Sequence, residues 1–230
     1  KPSMREQVDR FSLKKRDDLG TTSMDAEMGF IMANVGKCDA GKIIYDPFVG
    51  TGSLLFAAAH FSSWAIGSDI DGRQMRGGRQ DENGRGSLHT NTAQYGVQMH
   101  VLGGLVFDIC QHPWRDGLRF DGIVCDPPYG VRAGAKRIAK TGDRQVPKEL
   151  RHVLYPTTIP YETDNLTADL LQFAADRLVA GGRLVFWFAQ DIKEDVFDPA
   201  PLFQHPQLLF KYSIPQPCRN ICRWLLVYER

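Results

Sequence analysis

Short apolar runs, each ending in an acidic or glycine-rich turn, recur along the chain at the spacing of strands joined by helices. Lys42 to Tyr45 is the first and ends at Asp46. The turn Pro47-Phe48-Val49-Gly50-Thr51-Gly52 and the run Ser53-Leu54-Leu55-Phe56-Ala57-Ala58-Ala59 follow it. This order predicts a buried strand, a glycine turn and a helix with Ser53 near its N-terminus. Trp64 to Ser68 is a second strand, ending in Asp69-Ile70-Asp71-Gly72; a third lies in His100 to Val106 and stops before Asp108. The polar, glycine-rich stretch Arg73 to Asn91 between them predicts a helix or an irregular crossover. Phe120 to Cys125 is the fourth strand, ending in Asp126-Pro127-Pro128-Tyr129-Gly130. Leu166 to Leu178 carries apolar residues at 166, 170, 171, 174 and 178, a helical spacing, and Gly181-Gly182 is the expected stop. Leu184 to Phe188 is a fifth strand, and Leu208 to Tyr212 with Trp224 to Tyr228 an antiparallel closing pair.

Strands alternating with helices in this way specify an α/β fold with a doubly wound, mostly parallel sheet. The pattern contains no internal repeat, so one domain over residues 1–230 is expected. Ligands on such sheets sit at the carboxyl ends of the strands, where Asp46, Asp69, Asp108 and Asp126 fall. A single Asp after a strand is more often a turn residue or a helix cap, but four in one crevice point to a ligand.

Composition narrows the classes without choosing among enzymes. The chain has 230 residues, 28 Lys plus Arg against 27 Asp plus Glu, 43% apolar and 24% charged, which excludes a disordered, collagenous or coiled-coil chain. No apolar stretch approaches the roughly 20 residues needed to span a bilayer. Lys1 to Arg16 holds six basic and two acidic residues without an apolar segment, so a cytoplasmic address is expected rather than secretion. Five cysteines, an odd number, suggest reduced thiols; Cys218 and Cys222, four apart with no second pair at ligand spacing, make a poor zinc site, and no metal is expected. The near-neutral total conceals a basic segment. Val131 to Arg151 carries Arg132, Lys136, Arg137, Lys140, Arg144, Lys148 and Arg151 against only Asp143 and Glu149. Such a run is commonly a solvated surface, yet beside a catalytic turn it would suit a polyanion.

Gly50 and Gly52 allow a sharp turn that brings backbone amides near a ligand at a helix N-terminus. Asp69, 23 residues beyond Asp46, is placed to accept from ribose hydroxyls. The third glycine of the dinucleotide fingerprint is replaced by Leu55, which disfavours a nicotinamide oxidoreductase and fits a nucleoside with a short charged tail. In Asp126-Pro127-Pro128-Tyr129 two prolines remove backbone donors and stiffen the turn. The bland alternative is a rigid loop closing a strand.

Asp46 to Gly52 together with Asp126 to Tyr129 resembles the class I S-adenosylmethionine-dependent amino-methyltransferases, a Rossmann-like family. Thr21-Thr22-Ser23-Met24-Asp25-Ala26-Glu27, Gly67 to Gly72, Gln94-Tyr95-Gly96 and the basic loop after Gly130 extend the resemblance. They point to the catalytic subunits of eukaryotic tRNA (guanine-10-N2) methyltransferases, from about Phe11 to about Val227. That family normally begins with a THUMP-containing RNA-binding portion, so a catalytic fragment without it is expected here. The resemblance implies S-adenosylmethionine as cofactor and transfer of its methyl group to the exocyclic N2 amine of a tRNA guanosine. By the same resemblance Gly50 and Gly52 approach the methionine part, Asp46 its amino group and Asp69 the ribose. Ile70 lies against the adenine, Asp108 accepts from the adenine amine, and Ile109 supplies a backbone amide. Thr22 and Met24, within a helical segment over residues 1–40, close over the methionine end. Asp126 and the Pro127 carbonyl accept the two protons of the target amine, Tyr129 stacks on the base, and Arg132, Lys136 and Arg137 meet RNA phosphates. A small zinc-binding activator protein is the implied partner. In the implied sheet order the third strand lies at an edge, and Val101 to Phe107 is the expected docking strand. Other readings are a DNA adenine or protein glutamine methyltransferase, or a scaffold that keeps the fold without catalysis.

Overall fold

The computed structural model describes residues 3–20, 23–76, 87–128, 134–138, 158–191, 198–218 and 221–230. Its main sheet has seven strands in the order β3-β2-β1-β4-β7-β9-β8. These are β1 (Ile43–Asp46), β2 (Trp64–Asp69), β3 (Val101–Val106), β4 (Phe120–Cys125), β7 (Leu178–Asp191), β8 (Leu209–Pro217) and β9 (Ile221–Glu229). The first five pair in parallel, β9 runs antiparallel to β7, and β8 antiparallel to β9. The expected mostly parallel sheet with an antiparallel close is therefore present. A small second sheet pairs β5 (Lys136–Ile138) with β6 (Thr158–Pro160).

Side chains alternate across the strands and face two separate cores. Ile44, Val124, Val185, Trp187, Leu225 and Val227 join the layer of α2 (Ala26–Val35) and α3 (Ser53–His60). Their neighbours Tyr45, Ile123, Cys125, Leu184, Phe186, Leu226 and Tyr228 pack on α6 (Thr163–Arg177). Tyr45 stacks on Phe120 with ring centroids 4.6 Å apart, and its hydroxyl shares a 2.6 Å hydrogen bond with Ser68. That bond ties the buried middle of β1 to β2.

The N-terminal segment packs on the first of these layers. α1 (Met4–Arg10) opens with a reciprocal Ser3–Glu6 capping box, and Asp25 caps α2 by accepting from the Met28 amide at 3.0 Å. Between these helices Phe11 stacks on Tyr95, 4.5 Å away, in α5 (Ser87–Tyr95). The Arg73 to Asn91 crossover contains α4 (Gly72–Arg76) and the start of α5.

One expected boundary is wrong. Gly181-Gly182 does not stop α6, which ends at Arg177 and passes directly into β7. The glycines instead form a bulge: Phe120 faces Leu178 while Gly122 faces Arg183. Gly181 has φ +77°, and a Cβ on Gly182 would lie 2.9 Å from the Asp121 carbonyl oxygen. β7 is accordingly much longer than the Leu184–Phe188 core legible in its apolar run.

No helix among the described residues is long and apolar enough to cross a membrane. β3 is a sheet edge, with Leu102 (54% exposed), Leu105 and Val106 open to solvent.

Candidate active site

The strand order sets Asp108, Asp69, Asp46 and Asp126 in a row, because β3, β2, β1 and β4 are neighbours and each residue ends or follows its strand. The order reverses between β1 and β4, so the crevice above these ends is the ligand position of a doubly wound sheet.

The glycine turn from β1 to α3 is built by steric demand. Gly50 and Gly52 have φ +50° and +92°, a region L side chains rarely occupy. A Cβ on Gly52 would lie 2.5 Å from Leu88 and 2.7 Å from Phe56, whereas one on Gly50 would meet open space. Gly52 is thus required by packing as well as by conformation, and Gly50 leaves room on the crevice side.

Asp69 fastens this turn to β2: its carboxylate accepts from the Gly50 amide at 3.0 Å and the Asp71 amide at 2.8 Å. Burial raises its pKa, and these two amides oppose the rise. Asp46 is 2% exposed and accepts from the Phe48 amide at 2.9 Å. Burial drives its pKa well up, and the nearby carboxylates of Asp69 and Asp126 push the same way. A cation entering the crevice would hold these groups ionised.

Asp108, 3% exposed, accepts from the Cys110 amide at 2.9 Å and from the Ile138 amide at 2.6 Å. The second bond brings β5 to the crevice wall. Ile109 is buried, Ile70 is half-buried, and Met24 is buried in the α2–α3 core. On β5, Lys136 is exposed, whereas Arg137 is half-buried with its guanidinium 5.7 Å from the Tyr161 ring. Thr22, Tyr129 and Arg132, with the rest of the basic segment from Lys140 to Arg151, lie outside the described residues.

Asp126 follows β4 directly, with Pro127 buried beside it. Its Oδ1 is buried and accepts no hydrogen bond among the described residues. Among the described residues a positive charge stands beside it: Arg223 of β9, whose Nη2 is 3.6 Å from that oxygen. The Arg223 guanidinium lies 4.3 Å from the ring of Trp187, whose indole donates to Met32 Sδ. Burial lifts the Asp126 carboxyl to about 6, and Arg223 restrains the rise. Replacing Arg223 by Met, which keeps contact with the indole, should therefore move the Asp126 titration further upward. Carbon-13 NMR of the Asp126 carboxyl reads this directly, and a midpoint unchanged by the substitution would remove Arg223 from its environment.

The apolar pattern does not mark Arg223 or Trp187 as site residues, although an arginine inside the apolar run Cys222 to Tyr228 is a visible anomaly. Arg16 escapes the sequence pattern as well. It reads as one more charge in a basic stretch, yet it is buried against Thr51 and Ser53 of the glycine turn.

Residues 14–177 match the family model UPF0020, described as RMKL-like, methyltransferase domain. The tRNA (guanine(10)-N(2))-methyltransferase of Schizosaccharomyces pombe is 44% identical over 228 residues, covering 98% of this chain and 47% of that protein. Its namesake in Saccharomyces cerevisiae is 40% identical over 237 residues, covering 98% and 53%. The chain spans about half the length of these curated relatives. Among solved structures, TrmN from Thermus thermophilus superposes with a TM-score of 0.62 at 16% identity, over 98% of this chain and 52% of that one. An rRNA methylase from Streptococcus thermophilus gives 0.52 at 14%, over 92% and 99%. At such identities the structural likeness speaks for the fold, and the fold is that of the class I methyltransferases. The family pattern covers most of the chain, including both the glycine turn and the Asp126 turn: the chain belongs to the UPF0020 family of RMKL-like methyltransferase domains.

Proposed function

We propose that this chain is the catalytic domain of a tRNA guanine N2-methyltransferase, acting on guanosine 10 as the names of its relatives indicate. The observation that carries the reading is the buried Asp126 Oδ1, an acceptor with no hydrogen bond among the described residues, beside a glycine turn suited to a nucleoside cofactor.

The crevice residues fit S-adenosylmethionine. The open space at Gly50 lets a ligand lie against the backbone. Asp69 is fixed by two amides, and its remaining lone pairs can take both ribose hydroxyls. Asp108 likewise keeps a second lone pair on each oxygen for the adenine amine, beside the Ile109 amide and opposite Ile70. Asp46 answers the amino group of the methionine portion. Gly52 shapes the turn, and Thr22 and Met24, within the residue 1–40 segment, close that end. When bound, the cofactor supplies an electrophilic methyl group on a sulfonium sulfur.

The guanine amine is a weak nucleophile because its lone pair is delocalised into the ring. The Asp126 carboxylate and the Pro127 carbonyl draw the two amine protons into hydrogen bonds, which turns the lone pair out of conjugation and aims it along the transfer line. Tyr129 holds the base by stacking, as enzymes that act on an extruded base do. The proton released on transfer passes to Asp126 or to water.

Lys136 and Arg137 on β5 give this side of the crevice positive charge, and they, together with Arg132, are assigned to RNA phosphates, contacts that position a substrate without reading its sequence. The open β3 edge is read as the seat of a small zinc-binding activator protein that adds a strand there and covers Leu102 and Leu105. Leu102→Lys or Leu105→Lys should then abolish a one-to-one heterodimer in size-exclusion chromatography with light scattering. A wild-type chain that is soluble and active alone would refute that assignment.

The deciding experiment for the reaction is mass spectrometry of nucleosides from tRNA incubated with the protein and methyl-labelled cofactor. Label in N2-methylguanosine supports the reading; label only in DNA adenine or protein glutamine under parallel conditions overturns it.

A further inference from the structure

Among the described residues the guanidinium of Arg16 has no counter-charge. The residue is 7% exposed, and no Asp or Glu among the described residues pairs with it. Its Nε donates to the Tyr95 hydroxyl at 3.0 Å, and its Nη1 to Ser53 Oγ at 2.8 Å and Thr51 Oγ1 at 3.3 Å. The rings of Phe56 and Tyr95 flank it at 5.0 and 5.5 Å. Nη2 donates to no protein atom among the described residues. Hydroxyls and ring faces satisfy part of its hydrogen bonding but leave the charge uncompensated, and burying an unpaired charge is costly. An arginine cannot shed that cost by losing its proton.

Its position identifies the missing anion. Ser53 is the first residue of α3 and Thr51 precedes the Gly52 cap, so the guanidinium lies at a helix N-terminus whose amides also favour negative charge. Ser23 shares a 2.9 Å hydrogen bond with the same Thr51 hydroxyl, which ties the segment around Met24 to this point. A carboxylate, planar with two oxygens, matches a guanidinium edge with free donors, and it is the anion of the amino-acid end that the glycine turn is read as holding.

We propose that Arg16 binds the α-carboxylate of S-adenosylmethionine. The inference rests on the reading of the crevice as that cofactor's site and adds to it the residue that selects a ligand bearing a carboxylate. It also gives the basic N-terminal run a specific task, because one of its arginines turns inward while Lys15 stays on the surface, paired with Asp9.

Isothermal calorimetry with two ligands separates this role from a structural one. Wild-type protein should bind S-adenosylmethionine more tightly than its decarboxylated analogue. Arg16→Met should weaken S-adenosylmethionine binding by about 10- to 100-fold, the range for a lost hydrogen bond to a charged group, and leave the analogue's affinity within a few-fold. Arg16→Lys, which keeps the charge and most of the stem, should lose less and carries the same comparison if the Met variant does not fold. Equal weakening of both ligands would show that Arg16 only supports the turn, and would overturn the inference. So would a wild-type chain indifferent to the carboxylate. A wild-type chain that binds neither ligand would instead overturn the reading of the crevice itself.

Discussion

Asp126→Ala should lower methyl transfer to guanosine by at least about 100-fold, the scale seen when one positioned polar group is removed from a reacting centre. Affinity for S-adenosylmethionine should stay within a few-fold. The two effects should separate because Asp126 follows β4, on the far side of β1 from Asp69, and on the proposed reading addresses the substrate amine rather than the cofactor. On the proposed mechanism the carboxylate form is the active one. With the carboxyl raised to about 6 by burial, it is charged above that pH and neutral below it, so kcat/KM in the wild type should fall as pH drops through about 6. A single-turnover assay with labelled cofactor and a binding titration measure both quantities. Loss of cofactor affinity as large as the loss of rate would place Asp126 in the wrong half of the site.

The complementary result is expected at Asp69. Asp69→Ala should weaken S-adenosylmethionine binding by roughly 1–3 kcal/mol, since ribose hydroxyls would lose their acceptor and the Gly50 and Asp71 amides theirs. Part of that loss is indirect, because the Gly50 amide bond also fixes the turn. Asp69→Asn tests this share: it keeps one acceptor oxygen and should recover some of the affinity. Unchanged binding in the alanine variant would remove Asp69 from the ribose.

The strands that carry the site were legible because each is a short apolar run cut off by an aspartate. β1, β2 and β4 end within a residue of where the pattern places them. The row of carboxylates followed from strand order alone. Other features depend on contacts between distant segments. Gly181-Gly182 reads as a helix stop by local rules, and only the close approach of the Asp121 carbonyl oxygen explains why glycine is needed inside a strand. β5, inside the basic stretch, and β6, beyond it, are three residues each and have no apolar period to reveal them. Arg16 and Arg223 gain their importance from burial against Ser53 and Asp126, 37 and 97 positions away, which no window of sequence contains.

The insertion of β9 between β7 and β8 bears on how the chain is made. As the polypeptide emerges from a ribosome, β4 and β7 can pair well before the β8–β9 hairpin exists. During that interval β7 is an open edge bearing Phe186, Trp187 and Phe188, three large side chains that are all buried once β9 docks. Chains truncated between 191 and 209 would keep this edge permanently, and unpaired apolar edges seed aggregation. The sheet should therefore be completed in one late step, when the hairpin closes it.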